Sequence, residues 1–205
     1  MNRFLSLTSL RAIALGAGVL LGAGAQAAPV SQWASKVLGF SSQWSSTSWS
    51  AAQTLGAPDT VNYGDIPTSW AAAQRNGGMQ FLTLGFDTPV YSSGAMIRET
   101  WGNGFVTQVD ALDQNGLLHT VWSGKDTSLA GSPADFLVNW STTAYATVGL
   151  KIYVDTEHDQ AAWEEIDAVR LFGQTGAPSQ VPEPATWSLV GLASLGLLAR
   201  RRRAA

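Results

Sequence analysis

The sequence predicts an all-β protein body, an antiparallel β-sandwich of the jelly-roll type. Short apolar stretches alternate with turn residues from residue 79 to residue 173. Residues 148–155 alternate apolar and polar side chains with a period of two, as a strand with one buried face does. No long segment has the 3.6-residue period of an amphipathic helix. Short strands joined by tight turns are typical of sandwiches and jelly rolls.

The part of the body before residue 79 has no clear period. Residues 32–52 are rich in Ser, Trp and Gln, and we expect an irregular opening segment whose tryptophans fill the core. A short helix over residues 31–37 is compatible with this composition. Residues 55–59 and 63–65 carry Gly, Pro and Asp, which favour chain reversal. Residues 68–74 are predicted to form one helical turn.

The strands follow from residue 79 onward. The apolar stretch 81–86 is predicted to end at Asp87-Thr88-Pro89. The Asn115-Gly116 dipeptide lies between two apolar runs and is a strong signal for a β-hairpin. The predicted strands cover residues 81–86, 95–101, 105–112, 117–122, 135–140, 148–154 and 166–172.

The first 27 residues have the organisation of a secretory signal peptide. Arg3 and Arg11 supply positive charge, and residues 12–25 form an uncharged run of Leu, Gly and Ala. Ala25 and Ala27 fit the small-x-small rule for cleavage, which would leave Ala28 as the new N-terminus. The alternative is an anchor helix that is not cleaved.

The C-terminus combines a proline motif, an apolar run and a basic cluster. The two prolines of Val181-Pro182-Glu183-Pro184 exclude a helix or a central strand at that point. Residues 185–199 would form a helix of about 22 Å, which is shorter than a hydrocarbon core of about 30 Å. Trp187 and snorkelling arginines extend its reach. Four arginines, residues 200–203, favour a cytoplasmic end. A buried C-terminal helix is the alternative, which four adjacent cations disfavour.

This order of features resembles the PEP-CTERM sorting signal of bacterial exported proteins. The resemblance implies processing by a membrane protease-transpeptidase, the exosortase, with transient tethering in the inner membrane and then transfer to the cell envelope or release. The expected organisation is a signal peptide (1–27), a β-sandwich domain (28–176), a linker with the proline motif (177–184), a transmembrane sorting helix (185–199) and a basic cytoplasmic tail (200–205). Two targeting helices would therefore flank the sandwich.

The composition of the body restricts its partners. Residues 28–176 contain six Lys and Arg but fourteen Asp and Glu, a net charge of −8. Such an acidic body argues against nucleic acid, which needs clustered cations, and is compatible with divalent cations or neutral sugars. The chain has no cysteine, which excludes disulfides, a cysteine nucleophile and a thiolate metal site. About 150 residues suffice for one packed core.

The body resembles the galactose-binding-like, discoidin-related β-sandwich. The resemblance rests on the Gly-Ala-Pro-Asp loop (56–59), the strand 81–86, the Arg-Glu-Thr-Trp-Gly-Asn-Gly segment (98–104) and the closing strand 164–173. The resemblance is informative about the fold but does not identify a ligand. Folds of this type host sugar binding, lipid binding and adhesion, so the function must come from the site.

Two acids on the closing strand are candidate metal ligands. Glu165 and Asp167 lie two residues apart, so both face the side of the strand that carries its apolar residues. Buried carboxylates need cations or several hydrogen-bond donors. The resemblance implies a structural Ca²⁺ between a terminal-strand acid and an N-terminal turn, and Asp59 and Asp65 would complete the oxygen ligands. The alternative is that these acids accept backbone N–H bonds or remain solvated.

The candidate ligand-binding residues are Trp70, Arg98 and Trp101. Eight tryptophans lie in the body and most should pack in the core. Trp70 and Trp101 adjoin polar turns, where an exposed ring would stack on a sugar. Arg98 and Glu99 alternate along a strand and should point to opposite faces, so they should not pair with each other.

No catalytic motif is present. The sequence lacks the nucleophile elbow, the zinc-protease helix and the phosphate-binding loop. A glycosidase would need two acids across a cleft, and the spacing identifies no partner for Glu99. We therefore expect a non-catalytic binding or structural module of the cell envelope or extracellular matrix that contacts polysaccharide. The alternatives are a carbohydrate-active hydrolase with an Asp/Glu pair and a purely structural matrix component.

Overall fold

A computed structural model describes residues 27–178, and over this range the all-β prediction is confirmed. One 3₁₀ helix, Ala51–Thr54, accompanies the strands. Within the same range no helix is long and apolar enough to cross a membrane. The predicted targeting helices and the proline motif lie outside the described residues. The strands are β1 (Pro29–Trp33), β2 (Lys36–Phe40), β3 (Trp70–Ala71), β4 (Met79–Trp101), β5 (Val106–Asp113), β6 (Leu118–Ser123), β7 (Ala134–Asn139), β8 (Thr147–Asp155) and β9 (Glu165–Gln174).

Strand β4 belongs to both sheets of the sandwich. Its first part, residues 79–85, pairs with β2 and β8, and its second part, residues 91–101, pairs with β9 and β7. The prediction of two separate strands, 81–86 and 95–101, is wrong because the chain bends at Asp87-Thr88-Pro89 without ending. These three residues are exposed and lie where the pairing register shifts, so the missing N–H of proline breaks no ladder bond.

All strand pairs are antiparallel, and the two sheets enclose one core. The first sheet has the order β2-β4-β8-β5-β6, and the second has β9 between β4 and the short strands β1 and β3, with β7 on the other side of β4. Apolar side chains from both sheets form a single buried cluster. Its fully buried members include Leu82, Leu84, Ile97, Leu150, Ile152, Ile166 and Leu171.

The hairpin predicted at Asn115-Gly116 is confirmed between β5 and β6. Gly116 has a φ of +83°, a conformation that glycine adopts without steric cost. The carboxylate of Asp113 closes the turn, since its Oδ1 accepts the backbone N–H groups of Asn115 (2.8 Å) and Leu117 (2.9 Å). A side chain that hydrogen-bonds the backbone two residues ahead is a common turn device.

Two helical predictions in the first part of the body are wrong. Residues 31–37 form β1 and the start of β2, because β9 and β4 offer edges to which this segment adds. Residues 68–74 contain β3, which pairs with the start of β9. The opening tryptophans do not all fill the core either, since Trp44 is 51% exposed.

Candidate functional site

A small pocket lies where β3 meets the start of β9. It has a volume of about 60 Å³ and is lined by Trp44, Trp49, Asp65, Ala71 and Trp163; we refer to these five residues as the tryptophan pocket. Ala71 of β3 pairs with Glu165 of β9, and this pairing places the opening loops beside the segment that carries Trp163. Residues more than a hundred positions apart therefore form one concave surface.

The indole ring of Trp44 stands roughly perpendicular to the rings of Trp49 and Trp163. The ring of Trp44 meets that of Trp163 at 5.4 Å between centroids and 83° between planes, and that of Trp49 at 6.3 Å and 74°. Edge-to-face contacts of this kind are favourable for aromatic rings. They also hold the half-exposed Trp44 in a defined orientation beside the pocket.

The backbone at Trp49 is strained. Its φ of +48° lies in the left-handed region, which bulky residues rarely adopt. Hydrogen bonds on both sides hold it there, from the Trp49 N–H to the Pro67 carbonyl (3.0 Å) and from the Ala71 N–H to the Trp49 carbonyl (3.2 Å). Strain of this type persists where surrounding structure enforces it, and it is concentrated at functional sites.

A pair of carboxyl groups lies beneath the rings. Glu165 is fully buried, and its carboxyl accepts the indole N–H of Trp49 (3.1 Å) and the backbone N–H of Ile66 (3.3 Å). Burial, reinforced by the neighbouring Asp65, raises the pKa of Glu165 to about 9. Glu165 is therefore protonated near neutral pH, and its O–H is within hydrogen-bonding reach of Asp65. Asp65 itself is exposed at the pocket.

A second carboxyl pair, formed by the buried residues Glu99 and Asp126, lies beside a larger cavity of about 220 Å³. Glu99 is fully buried, and its Oε2 accepts the backbone N–H of Gly104 (2.9 Å). Burial, with a hydrogen bond to the Asp126 side chain, raises the pKa of Glu99 to about 10. Asp126 in turn accepts the N–H groups of Ser128 (2.8 Å) and Val106 (3.4 Å). The pair thus anchors two loops to β4.

Neither carboxyl pair has the geometry of a glycosidase. In both pairs the two side chains are within hydrogen-bonding reach of each other. Retaining and inverting glycosidases separate their carboxyl groups by roughly 5 Å or more, because a sugar or a water molecule must fit between them. The partner of Glu99 is a loop acid, as a hydrolase would require, but it lies too close to serve that mechanism.

The predicted ligand-binding residues are not brought together. Trp70 was wrongly predicted, because its side chain is fully buried in the core and donates its indole N–H to the Ser42 carbonyl (3.1 Å). Arg98 forms an ion pair with Asp135 of the neighbouring strand β7 (2.9 Å). Trp101 is partly exposed and packs against Tyr63, with ring centroids 4.8 Å apart. A role of Arg98 and Trp101 in ligand binding stays a prediction.

Sequence reasoning missed the tryptophans that do line a pocket. Trp44 and Trp49 lie in a Ser-rich segment with no strand period, and Trp163 precedes an acidic pair. The sequence feature that could have identified them is the high density of large aromatic residues in polar loops. Residues in such loops are less expected to be buried in the core.

The four predicted calcium ligands form two pairs and not one centre. Asp167 accepts the backbone N–H groups of Asp59 (3.5 Å) and Thr60 (3.3 Å), while Asp65 neighbours Glu165. The inward orientation of both β9 acids is confirmed by their burial. Donor N–H groups point at the oxygens that a cation would need, so these residues do not fit the predicted site. Residues 27–178 contain no group of three or more candidate metal ligands. Binding of calcium by the protein stays a prediction, which melting with and without a chelator tests.

The comparison with protein families decides the classification. Residues 23–181, well over half of the chain, match the family described as Pappalysin-1, SD scarf domain, C-terminal. The chain belongs to this family. Near the C-terminal end of the sequence, residues 180–203 match the PEP-CTERM protein-sorting motif, which confirms the sorting signal predicted from Val181-Pro182-Glu183-Pro184 and the basic cluster. The motif indicates export and processing by an exosortase.

Solved structures resemble the scarf domain in fold. A chain in the crystal structure of reduced XRCC1 bound to the DNA polymerase β catalytic domain has a TM-score of 0.54 and 14% identity, over 69% of this chain and 98% of that one. At this identity the similarity concerns the fold alone, and it agrees with the predicted sandwich. Comparison with curated proteins finds no matching sequence.

Two further structures are more distant. A chitosan-binding module of a chitosanase/glucanase from Paenibacillus sp. IK-5 has a TM-score of 0.47 and 12% identity, over 68% of this chain and 95% of that one. Allantoicase has a TM-score of 0.48 and 14% identity, over 68% of this chain and 40% of that one.

Proposed function

We propose that the protein is a non-catalytic module of the cell envelope or extracellular matrix that binds polysaccharide in the tryptophan pocket. The observation that carries the proposal is the half-exposed ring of Trp44, held nearly perpendicular to Trp49 and Trp163 around an acidic side chain. A concave site with aromatic walls and few polar groups is the usual form of a small-ligand site.

The chemistry of the pocket suits a sugar ring. Indole faces present large apolar areas to the C–H faces of a sugar, while the remaining polar atoms orient its hydroxyl groups. Asp65 supplies carboxylate acceptors at the mouth of the pocket. The strained backbone of Trp49 agrees with a functional role of this loop, because such strain is rarely retained where it serves nothing.

The ends of the chain determine where this binding takes place. The sorting motif at residues 180–203 supports export, processing by an exosortase-type enzyme and transient tethering through an apolar helix over residues 185–199. We propose a signal peptide over residues 1–27 that directs the domain of residues 28–176 across the membrane. The close spacing of the carboxyl pairs makes the non-catalytic function preferable to a hydrolase.

Replacing Trp44 tests the proposal directly. We expect Trp44→Ala to weaken polysaccharide binding about tenfold or more, because one aromatic contact contributes about 1.4 kcal/mol. The melting temperature should change by only a few degrees, since the ring is 51% exposed. Affinity electrophoresis in gels that contain different polysaccharides measures the loss.

A matched control is Leu137→Ala, which removes a comparably exposed apolar side chain (59%) from β7. This variant should bind as the unmodified protein does. Equal retention of Trp44→Ala and the unmodified protein in every gel would contradict a role for the pocket.

A further inference from the structure

The tryptophan pocket carries an uncompensated negative charge. Asp65 lines it, and within residues 27–178 no Lys or Arg forms an ion pair with Asp65 or Glu165. The carboxyl of Glu165 accepts the N–H groups of Trp49 and Ile66, and within residues 27–178 the neutral O–H of Glu165 is the one donor within hydrogen-bonding reach of the Asp65 carboxylate. A neutral sugar would leave this carboxylate without a counter-charge.

The aromatic walls suit a cation as well as a sugar face. The negative face of an indole attracts an ammonium or guanidinium group within about 6 Å of the ring centroid, and Trp is the strongest of the aromatic residues in this respect. One ring of the pocket already shows this behaviour, since the guanidinium of Arg75 lies 5.3 Å from the centroid of Trp163. Rings in two nearly perpendicular orientations would surround an organic cation on more than one side.

The side chains that line the pocket do not suit a metal ion. Calcium takes six to eight oxygen atoms, whereas the pocket offers one carboxylate beside three indoles and an alanine. A protonated amine needs fewer acceptors, because its three N–H groups can be shared between a carboxylate and aromatic faces. The cation that fits is organic and carries its charge on nitrogen.

From this arrangement we infer that the tryptophan pocket recognises the protonated amino group of an amino sugar, so that the bound polysaccharide is one with free amines. The inference rests on the proposed function and adds its ligand class. The ammonium group lies against Asp65 and the sugar ring against an indole. Other charged groups in the neighbourhood are Arg75, Glu164 and Asp159, and the body as a whole is acidic.

A series of three oligosaccharides isolates the amine. Oligomers of one length with β-1,4-linked glucose backbones differ only at carbon 2, which carries an ammonium, an acetamide or a hydroxyl group. The full chain is purified in a polyoxyethylene detergent, which has no sugar headgroup, and titrated calorimetrically below neutral pH. We expect the amine oligomer to bind about tenfold more tightly than the other two, as one cation–π contact and one charge-assisted hydrogen bond allow.

Two variants separate the pocket from general attraction to an acidic protein. Asp65→Asn should reduce the affinity for the amine oligomer to that for the neutral oligomers. Because Asp65 is exposed, this variant should fold normally, which its melting temperature checks. Asp87→Asn changes the net charge equally at an exposed acid that pairs with Lys36 (3.2 Å), and it should retain the preference. Both are repeated at higher salt, which screens long-range attraction.

Each outcome has a distinct meaning. Equal affinity of the unmodified protein for all three oligomers overturns the amine inference and leaves polysaccharide binding intact. A preference that Asp65→Asn retains, or that Asp87→Asn loses to the same degree, also overturns it. Failure to bind any oligomer, together with no loss for Trp44→Ala in the polysaccharide gels, overturns the proposed function itself.

Discussion

The melting temperature of the protein should fall as the pH rises from about 5 to about 9. Burial raises the pKa of Glu99 to about 10, of Glu165 to about 9, of Glu164 to about 7 and of Asp167 to about 6. Each group stays protonated in the folded protein up to its raised pKa, but in the unfolded chain it ionises above the ordinary value of 4.5 or 3.8. Their contribution to stability is therefore complete below the ordinary pKa and is lost as the pH rises through the folded pKa.

Two other carboxylates, the exposed Asp87 and the buried Asp113, act in the opposite sense at lower pH. The pKa of Asp87 is lowered by hydrogen bonds from Ser35 and Lys36, and that of Asp113 by hydrogen bonds from His119 and the backbone. Their stabilisation is lost as the pH falls below the ordinary value of 3.8. We therefore expect maximum stability between about pH 4 and pH 5. A loss of about 3 kcal/mol at alkaline pH would lower the melting temperature by about 10 °C, because about 1 kcal/mol corresponds to about 2–4 °C in a domain of this size.

Glu99→Gln should remove much of this pH dependence. The amide has the shape of the protonated carboxyl, accepts the Gly104 N–H and donates to Asp126, but it cannot ionise. At alkaline pH the variant should melt at a higher temperature than the unmodified protein. Differential scanning calorimetry over a pH series measures the slope. Asp87→Asn at an exposed position is the control, and an identical alkaline slope for Glu99→Gln and the unmodified protein would show that Glu99 is not the titrating group.

The second large effect concerns Gly102, which connects the end of β4 to the tryptophan pocket. Gly102 has a φ of +64°, and a Cβ at this position would lie 2.6 Å from the carbonyl oxygen of Trp163. Gly102→Ala should therefore destabilise the protein by about 3 kcal/mol or more, from left-handed strain of about 1–2 kcal/mol and a backbone clash. The same displacement of Trp163 should weaken ligand binding.

Two other glycines separate these contributions. Gly116 has a φ of +83° but nothing within 4 Å of its added Cβ, so Gly116→Ala should cost only the conformational strain. Gly39 has neither feature, and Gly39→Ala should be nearly neutral. Urea denaturation gives the three free energies of unfolding. If Gly102→Ala were no worse than Gly116→Ala, close packing against Trp163 would not be what requires this glycine.

Features encoded by neighbouring residues could be predicted from the sequence. The alternation over residues 148–155 defines β8, because a period of two is a property of one strand. The Asn115-Gly116 hairpin was predictable since its turn depends on local dihedral preferences and on the nearby Asp113. The sorting motif is contiguous, and its order alone identifies it.

The surroundings of the buried carboxyl groups could be predicted from the sequence only in part. The period of a strand showed that Glu165 and Asp167 point inward, and both are buried. It could not show that Asp65 lies beside Glu165, or that backbone N–H groups occupy the oxygens assigned to calcium. Those partners come from loops about a hundred residues away, and their proximity depends on how β3 pairs with β9.

The sequence by itself determined the all-β class, the main strands, the hairpin and the C-terminal sorting signal. Each of these features depends on residues that are neighbours in the chain. Only the tertiary structure decided that Trp70 is core while Trp44 is half-exposed, although both are tryptophans in similar polar surroundings of the chain. The physical reason is that burial depends on what packs against a side chain. The pocket of Trp44, Trp49 and Trp163 exists only once distant strands have paired.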